Sequence, residues 1–375
     1  MRATHIKANT DKLIPERIMK HLAKRIFKAL KEDLGEIPSQ IDTDIPDWSK
    51  IQDHKEAKQV MKQYLKRVIE QAEPLAGHTT RKTIEESKEI LSDERFMLQK
   101  GIRSLVDKDA RVGAKSKTKR FYGYKNEFMM TTDERIITAV HVQSGEYTDG
   151  SEFDALLEKT IEAGIQPKEI YGDKAYFRKP ILDSIKAVHA EALIPISACA
   201  YRIDEDLFRY NKDSDQWFCI MGNHTIKKKR VTRKRHGKTV DIYEFDFNKE
   251  QCLNCPRREQ CMGTTKVKGR KLIVALHTAE FYAISQCQKM PEFKEQYKKR
   301  AAHEWKNAEM KRFHGLARAR GYGLGSVSVQ AKLTAIAVNL KRIAALFAEK
   351  AAILFSHSLR PSYILAFRME FLLVK

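Results

Sequence analysis

The sequence lacks several features that mark common classes of protein. No run of apolar residues approaches the roughly 20 that a helix needs to cross a bilayer, and residues 1–12 lack the apolar segment of a secretory signal peptide. Cysteine is scarce, with 6 in 375 residues, which is too few for the disulfide framework of a small secreted protein. We therefore expect a cytoplasmic protein.

Acidic residues are in deficit. The chain has 70 Lys and Arg against 49 Asp and Glu, a net charge of +21. Such an excess indicates a polyanionic partner, and nucleic acid is the first candidate. The 42% hydrophobic content is typical of a folded core rather than a basic tail. The two most basic segments, residues 115–120 and 227–238, are either solvated loops or contacts to the DNA backbone, and the charge excess favours contacts.

Hydrophobic periodicity predicts the secondary structure of the first 200 residues. Residues 3–8 are strand-like, and apolar residues at helical spacing over 18–30 and 60–69 predict two amphipathic helices. The pattern then alternates in the order strand (120–130), strand (135–143), helix (153–164), strand (168–173), helix (178–189) and strand (192–196). This alternation predicts an α/β fold with a mixed sheet.

The chain becomes helical again after residue 290. Residues 293–321 are predicted to form one amphipathic helix. Residues 329–355 are apolar on nearly all sides of a helix, so we expect that helix to pack in the core.

The first helix of this region carries a group of polar residues at helical spacing. Tyr297, Arg300, Glu304 and Lys311 are three, four and seven residues apart, so all four are expected on one helical face. A carboxylate between two cations and a phenol suits a site that holds a metal ion and binds phosphates. The alternative is a solvated helix with surface ion pairs.

Asp173 is a second candidate residue. It ends the short strand-like segment IYGD and precedes Tyr176. The carboxyl ends of strands in open α/β sheets are where ligand-binding groups are placed. The alternative is an Asp that only stabilises a turn.

These two segments resemble a known family. YKKRAAHEWKNAEMK matches the Y-x2-R-x3-E-x6-K signature of bacterial insertion-sequence transposases of the DDE type. The resemblance implies an α/β, ribonuclease-H-like catalytic domain with Asp173 and Glu304 as the second and third catalytic carboxylates. It also implies that Tyr297, Arg300 and Lys311 lie near DNA phosphates. Glu309 is the rival of Glu304, about 140° further around the helix, and we favour Glu304.

The resemblance places the first catalytic carboxylate at the chain start. Relatives have Asp before a Thr-His-Ile-Lys-Ala strand, and this chain has Arg2 at that position. We interpret the chain as an N-terminally truncated copy; the alternative is that the resemblance misplaces the strand. Asp107 and Asp109 could substitute as metal ligands, but we expect turn or supporting roles. Asp149 resembles the Asp that follows the third strand in relatives, and its simpler interpretation is a helix N-cap.

The resemblance extends from Ala3 to about Leu346 and implies a domain organisation. The predicted segments are the first strand of the catalytic domain (1–10), a helical insertion (11–100), the catalytic core (101–199), a small Cys-rich insertion (200–280), the C-terminal helices of the catalytic core (281–350) and a tail (351–375).

The predicted insertion contains a candidate zinc site. Cys219, Cys252, Cys255 and Cys261 include a C-x2-C pair, and four thiolates can bind Zn²⁺ tetrahedrally. His224 is a fifth candidate ligand. The alternative is scattered reduced thiols, and Cys199 and Cys287 are interpreted as small buried residues.

The implied function is that of an insertion-sequence transposase. It would cleave phosphodiesters at the element ends and join them to target DNA with Mg²⁺ (or Mn²⁺) held by carboxylates. The expected partner is double-stranded DNA in the bacterial nucleoid, with no membrane, and a homodimer is allowed. One alternative is an inactive remnant that still binds DNA. Another is a zinc-dependent RNA- or ribosome-associated protein.

Overall fold

The fold is described from a computed structural model of the chain, which describes residues 3–116, 118–235, 237–264 and 266–358. Arg2, predicted to occupy the first catalytic position, lies outside the described residues. The described chain falls into two units. Residues 165–301 form the smaller unit, and the segments on either side of them form the larger unit.

The strands and helices alternate along much of the chain. The strands are β1 (Thr4–Lys7), β2 (Arg111–Ala114), β3 (Arg120–Met130), β4 (Ile137–Ser144), β5 (Glu169–Tyr171), β6 (Glu191–Leu193), β7 (Phe208–Asn211), β8 (Gln216–Cys219), β9 (Thr225–Arg235), β10 (Lys238–Phe247) and β11 (Lys271–Ala275). The helices are α1 (Pro15–Leu34), α2 (His54–Ala72), α3 (His78–Ser92), α4 (Glu94–Met97), α5 (Phe153–Glu162), α6 (Lys179–Ala187), α7 (Lys249–Leu253), α8 (Arg258–Met262), α9 (Thr278–Lys289), α10 (Pro291–Tyr297), α11 (Ala301–Phe313) and α12 (Gly323–Ser358). The predicted α/β class is confirmed.

The larger unit begins with β1 and a helical layer. Helix α1 starts at Pro15, where a proline fits the first helical position, and ends before Gly35 at a positive φ of 87°. The apolar stripes of α1 and α2 face each other, and their buried members include Ile18, Leu22, Ile26, Leu30, Met61, Tyr64, Leu65 and Val68. The two helices predicted from periodicity are confirmed.

The antiparallel sheet of the larger unit is built around β3. Strand β3 lies between β1 and β2, and β4 also pairs with β3, on the edge opposite β1. The pairings of β1 and β2 meet at Gly123, which has a φ of 144°. A Cβ at this position would lie 2.1 Å from the carbonyl oxygen of Ile6. Only glycine lets β1 approach this closely.

Helices α11 and α12 complete the core beside this sheet. Val327, Ala331, Ala335 and Val338 of α12 are buried together with Ile6, Tyr124, Phe128, Met310 and Leu316. The prediction that this helix is buried on nearly all sides is wrong. Large apolar side chains on its other side remain exposed, namely Val329, Leu333, Ile336, Leu340, Ile343 and Phe347.

The smaller unit contains the remaining sheets. Strands β5 and β6 pair in parallel, and β7 and β8 pair antiparallel. Strand β10 lies between β9 and β11. A small apolar cluster fills this part and consists of Phe208, Trp217, Phe245, Phe247, Leu272 and Val274.

The basic segment 227–238 lies mostly on a strand rather than in a loop. Strand β11 pairs only with residues 242–246 of β10, so the rest of the hairpin, residues 232–235 with 238–241, is two strands wide. We call the paired strands β9 and β10 the basic ribbon. Among the described residues, no helix is both long and apolar enough to cross a membrane.

Candidate active site

The helical segment that carries the signature is interrupted. Helix α10 ends at Tyr297, Lys298–Arg300 form a 3-10 turn, and α11 begins at Ala301. Each residue of a 3-10 turn advances by about 120° instead of about 100°. The prediction of one continuous helix is therefore wrong, and the common face of the four signature residues stays a prediction. No Pro or Gly between residues 292 and 314 marks the interruption in the sequence.

In the smaller unit, Asp173 lies at the carboxyl end of β5, where the sequence places it. Its Oδ1 accepts a hydrogen bond of 2.9 Å from the backbone N–H of Ala175 and so begins the 3-10 turn Lys174–Tyr176. Its Oδ2 lies 4.0 Å from the guanidinium of Arg300. Asp173 thus stabilises a turn with one oxygen and faces a cation with the other.

Tyr297 and Arg300 hold the Asp173 loop. The hydroxyl of Tyr297 donates a hydrogen bond of 3.0 Å to the carbonyl oxygen of Gly172. The guanidinium of Arg300 lies 5.7 Å from the centre of the Tyr297 ring. Helical spacing in the sequence links Tyr297 and Arg300 to Glu304. In the structure, both residues contact the loop that carries Asp173.

In the larger unit, the two glutamates of α11 differ in their surroundings. Glu304 is exposed. Glu309 pairs with Lys306 at 3.2 Å and with Lys341 of α12 at 3.0 Å. Burial alone would raise the pKa of Glu309. The hydrogen bonds and positive charges of Lys341 and Lys306 lower this pKa by more than burial raises it, so the net shift is downward. Glu309 therefore ties α11 to α12, and Glu304 stays the predicted metal ligand of this helix.

Lys311 and β1 lie close enough to interact. Burial, followed by the positive charges of Lys311, Lys115 and Lys7, lowers the pKa of His5 to about 4. The His5 ring also packs on Phe121, with 5.0 Å between ring centres. The last residue of the signature is thus near the strand that the resemblance identifies as the first of the catalytic domain.

Three buried polar residues on α11 and β3 were not identified from the sequence. His303 stacks on Phe128 of β3 with 4.0 Å between ring centres, which anchors α11 to the sheet. One turn later, both polar atoms of Asn307 are buried without a hydrogen-bond partner among the described residues, and so is Oδ1 of Asn126 on β3. A buried unsatisfied amide is costly and calls for a physical reason. The sequence gives no signal for this burial, because Asn307 follows Lys306 and has Glu304 and Lys311 at helical spacing.

The other acidic candidates have structural partners. Asp107 accepts hydrogen bonds from the backbone N–H of Ala110 and Gly323 and from the Tyr124 hydroxyl. Asp109 accepts a 2.8 Å bond from the N–H of Leu324. Both carboxylates thus satisfy the N-terminus of α12.

Asp149 has a different role from the one predicted. Its carboxylate pairs with Lys125 of β3 at 2.5 Å, and Glu152 is the residue at the N-cap of α5. The predicted N-cap role of Asp149 is wrong.

The four clustered cysteines line one pocket. Cys219 ends β8, Cys252 lies in α7, Cys255 follows α7, and Cys261 lies in α8. His224 is exposed, packs near Phe218, and does not line this pocket. Cys199 and Cys287 are exposed, so the interpretation of both as buried residues is wrong.

The donor chemistry for hard cations is present. Asp173 and Glu304 supply carboxylate oxygens, the ligands that Mg²⁺ prefers. Within the described ranges, no three His, Cys, Asp or Glu side chains form a group that could hold a metal ion. The residues therefore fit such an ion by chemistry, and the described ranges do not supply a complete set of ligands.

The comparison with protein families bears on this geometry. Residues 218–344 match the family model described as "Transposase DDE domain". This part of the chain is therefore similar to a transposase DDE domain. The match spans the four clustered cysteines and all four signature residues, covers about a third of the chain, and begins after Asp173. The match supports a transposase function and implies a DNA substrate. No curated protein matches the chain.

Proposed function

We propose that this transposase cleaves and joins DNA ends in a metal-dependent reaction, with Asp173 and Glu304 as carboxylate ligands of Mg²⁺ or Mn²⁺. The observation that carries the proposal is that Tyr297 and Arg300 both contact the loop of Asp173. Both residues belong to the signature of the DDE family. When bound, the divalent ions would activate the attacking oxygen and stabilise the leaving oxygen.

The chain's own residues would prepare the reaction. Arg300 places a positive charge beside Asp173, and a guanidinium group is well suited to bind phosphate. Tyr297 fixes the loop through Gly172. Lys311 adds positive charge near β1. Glu309 is held by two lysines and has no assigned part in the chemistry.

The direct test is DNA cleavage by matched variants. The substrate is a supercoiled plasmid that carries the gene with its flanking DNA, incubated with Mg²⁺ or Mn²⁺. The Asp173→Asn and Glu304→Gln variants should cut at least about 100-fold more slowly than their parent, and Glu309→Gln should cut within about threefold of it. Equal rates for all three variants would refute the assignment.

The assay is run in two backgrounds because Arg2 stands where the resemblance expects the first Asp. We expect the Arg2→Asp chain to cut faster than the unchanged chain, since a positive charge opposes cation binding. If the unchanged chain cuts equally well, Arg2 is not at the first catalytic position. Asp107 and Asp109 then remain the alternatives.

Metal binding can be tested without catalysis. Fe²⁺ in place of Mg²⁺, with ascorbate and peroxide, generates radicals that cut the backbone near the bound ion. Cuts are expected close to both Asp173 and Glu304, and Asp173→Asn should remove both sets. Cuts near only one residue, or near neither, would contradict a shared metal site, whose convergence stays a prediction.

The basic ribbon is proposed as a DNA-binding surface of this transposase. Lys227, Lys229 and Lys234 of β9 are exposed and form no ion pair with another described residue. By contrast, Arg230 and Arg233 pair with Asp241 and Glu244. A two-stranded ribbon fits the major groove of DNA, about 12 Å wide. The three lysines would contact phosphates, which contribute affinity without sequence preference.

A further inference from the structure

We propose that Cys219, Cys252, Cys255 and Cys261 bind one structural Zn²⁺ that stabilises the base of the basic ribbon. The proposal is independent of the catalytic one, because it concerns a part of the smaller unit that contains neither Asp173 nor Glu304.

The first support is convergence. The four cysteines come from β8, α7, the loop after α7 and α8, and all line one pocket together with Phe208, Phe247, Arg258 and Arg270. The four cysteines therefore meet at one pocket although they come from four different segments of the chain.

The second support is the polar environment of the sulfurs. The backbone N–H of Arg270 donates a hydrogen bond of 3.5 Å to Sγ of Cys252. The guanidinium groups of Arg270 and Arg258 reach the backbone oxygens of Cys261 and Cys252 at 3.2 and 3.3 Å. Four thiolates around Zn²⁺ carry a net charge of −2, and the two guanidinium groups can balance it.

The third support is that the segments around the cysteines bury few apolar side chains. Helices α7 and α8 each have five residues and, as described, bury none of them. Helices this short are unstable without other contacts, and the nearby apolar cluster is small. A bound Zn²⁺ commonly supplies the missing stability in such segments.

The ligand geometry requires small movements. The described sulfurs do not yet form a ligand group, so binding requires rotation of the cysteine side chains about χ1 to bring each Sγ to about 2.3 Å from the ion. Zinc binding would release protons from the thiols. No change of backbone topology is needed, because all four residues already surround the pocket.

The experiment uses the full chain and its own control cysteines. We expect about one zinc per chain by elemental analysis, and more than a tenfold loss of zinc in Cys252→Ser and in Cys261→Ser. The Cys199→Ser and Cys287→Ser variants should keep it, because both residues are exposed and neither lines the pocket.

Thiol alkylation of the unchanged chain keeps the test decisive if the Ser variants do not fold. With zinc bound, maleimide labelling located by mass spectrometry should be at least tenfold slower at the four pocket cysteines than at Cys199 and Cys287. A chelator should remove the protection. A chain that binds no zinc, or a set of six cysteines that label at rates unaffected by zinc, would overturn the proposal.

Discussion

Removal of the three unpaired lysines of the basic ribbon should change how DNA binding responds to salt. Substitution of Lys227, Lys229 and Lys234 by Ala leaves the ion pairs of Arg230 and Arg233 intact. These lysines are exposed on an edge strand, so the ribbon should still fold. Any loss of affinity then reports phosphate contacts.

The magnitude follows from counterion release. Each phosphate contact contributes about 0.9 to the slope of log affinity against log salt, so three lost contacts reduce the slope by up to about 2.7. Between 50 and 200 mM salt, the unchanged chain should lose up to about 40-fold more affinity than the triple variant.

The assay is fluorescence anisotropy with a labelled random-sequence duplex over a salt series. The control variant carries Ala at Lys28, Lys55 and Lys66, which are exposed on α1 and α2. Both variants lose three positive charges, so only position differs. Equal slopes for the two variants would show that net charge, rather than the ribbon, determines binding, and the ribbon would lose its assigned role.

Three further predictions concern the larger unit. Asn307→Leu should raise the free energy of unfolding by about 1 kcal/mol, because it removes unsatisfied buried polar atoms; urea unfolding measures it, and a destabilised variant would mean that Asn307 has a partner. The low pKa of His5 means that the unfolded chain takes up a proton between pH 6.5 and about 4 while the folded chain does not. Stability should therefore fall as pH falls through that window, by about 1 to 2 kcal/mol after solvent screening, and His5→Gln should remove this part of the pH dependence of thermal unfolding. A homodimer stays a prediction. The exposed apolar residues of α12 follow the 4-3 spacing of a coiled-coil seam, so Leu333→Glu with Leu340→Glu should convert any dimer to monomer in light scattering, and an unchanged mass would exclude this surface.

Periodicity predicted those elements in which apolar residues recur at a regular spacing. The stripes of α1 and α2 match each other, and β3 and β4 follow their strand patterns closely. For α12 the same reasoning wrongly predicted burial on nearly all sides. The composition of this helix shows how apolar it is, but not which of its sides packs on the sheet. The sequence also does not show whether other residues cover Cys199 and Cys287. In the structure both are exposed.

The candidate site was partly accessible from sequence. The strand-end position of Asp173 was correctly derived from the segment IYGD. The link from Tyr297 and Arg300 to this loop was not, because helical spacing relates residues of one helix and says nothing of contacts made across more than a hundred residues of chain. The signature favours Glu304 over Glu309 from the sequence alone, and the ion pair of Glu309 with Lys341 of α12 adds a structural reason that the sequence does not contain.

The larger unit is interrupted in sequence by the smaller one, and this has a consequence for folding during synthesis. One of its apolar clusters joins Ile6 and Tyr124 to Met310, Leu316 and Val327, which the ribosome makes only after residues 165–301 have emerged. At about 5 to 20 residues per second, that segment takes roughly 7 to 27 s to translate. During this interval the apolar side chains of the sheet around β3 that α11 and α12 later cover remain exposed. Such exposed apolar surface on a nascent chain is the kind that chaperones bind.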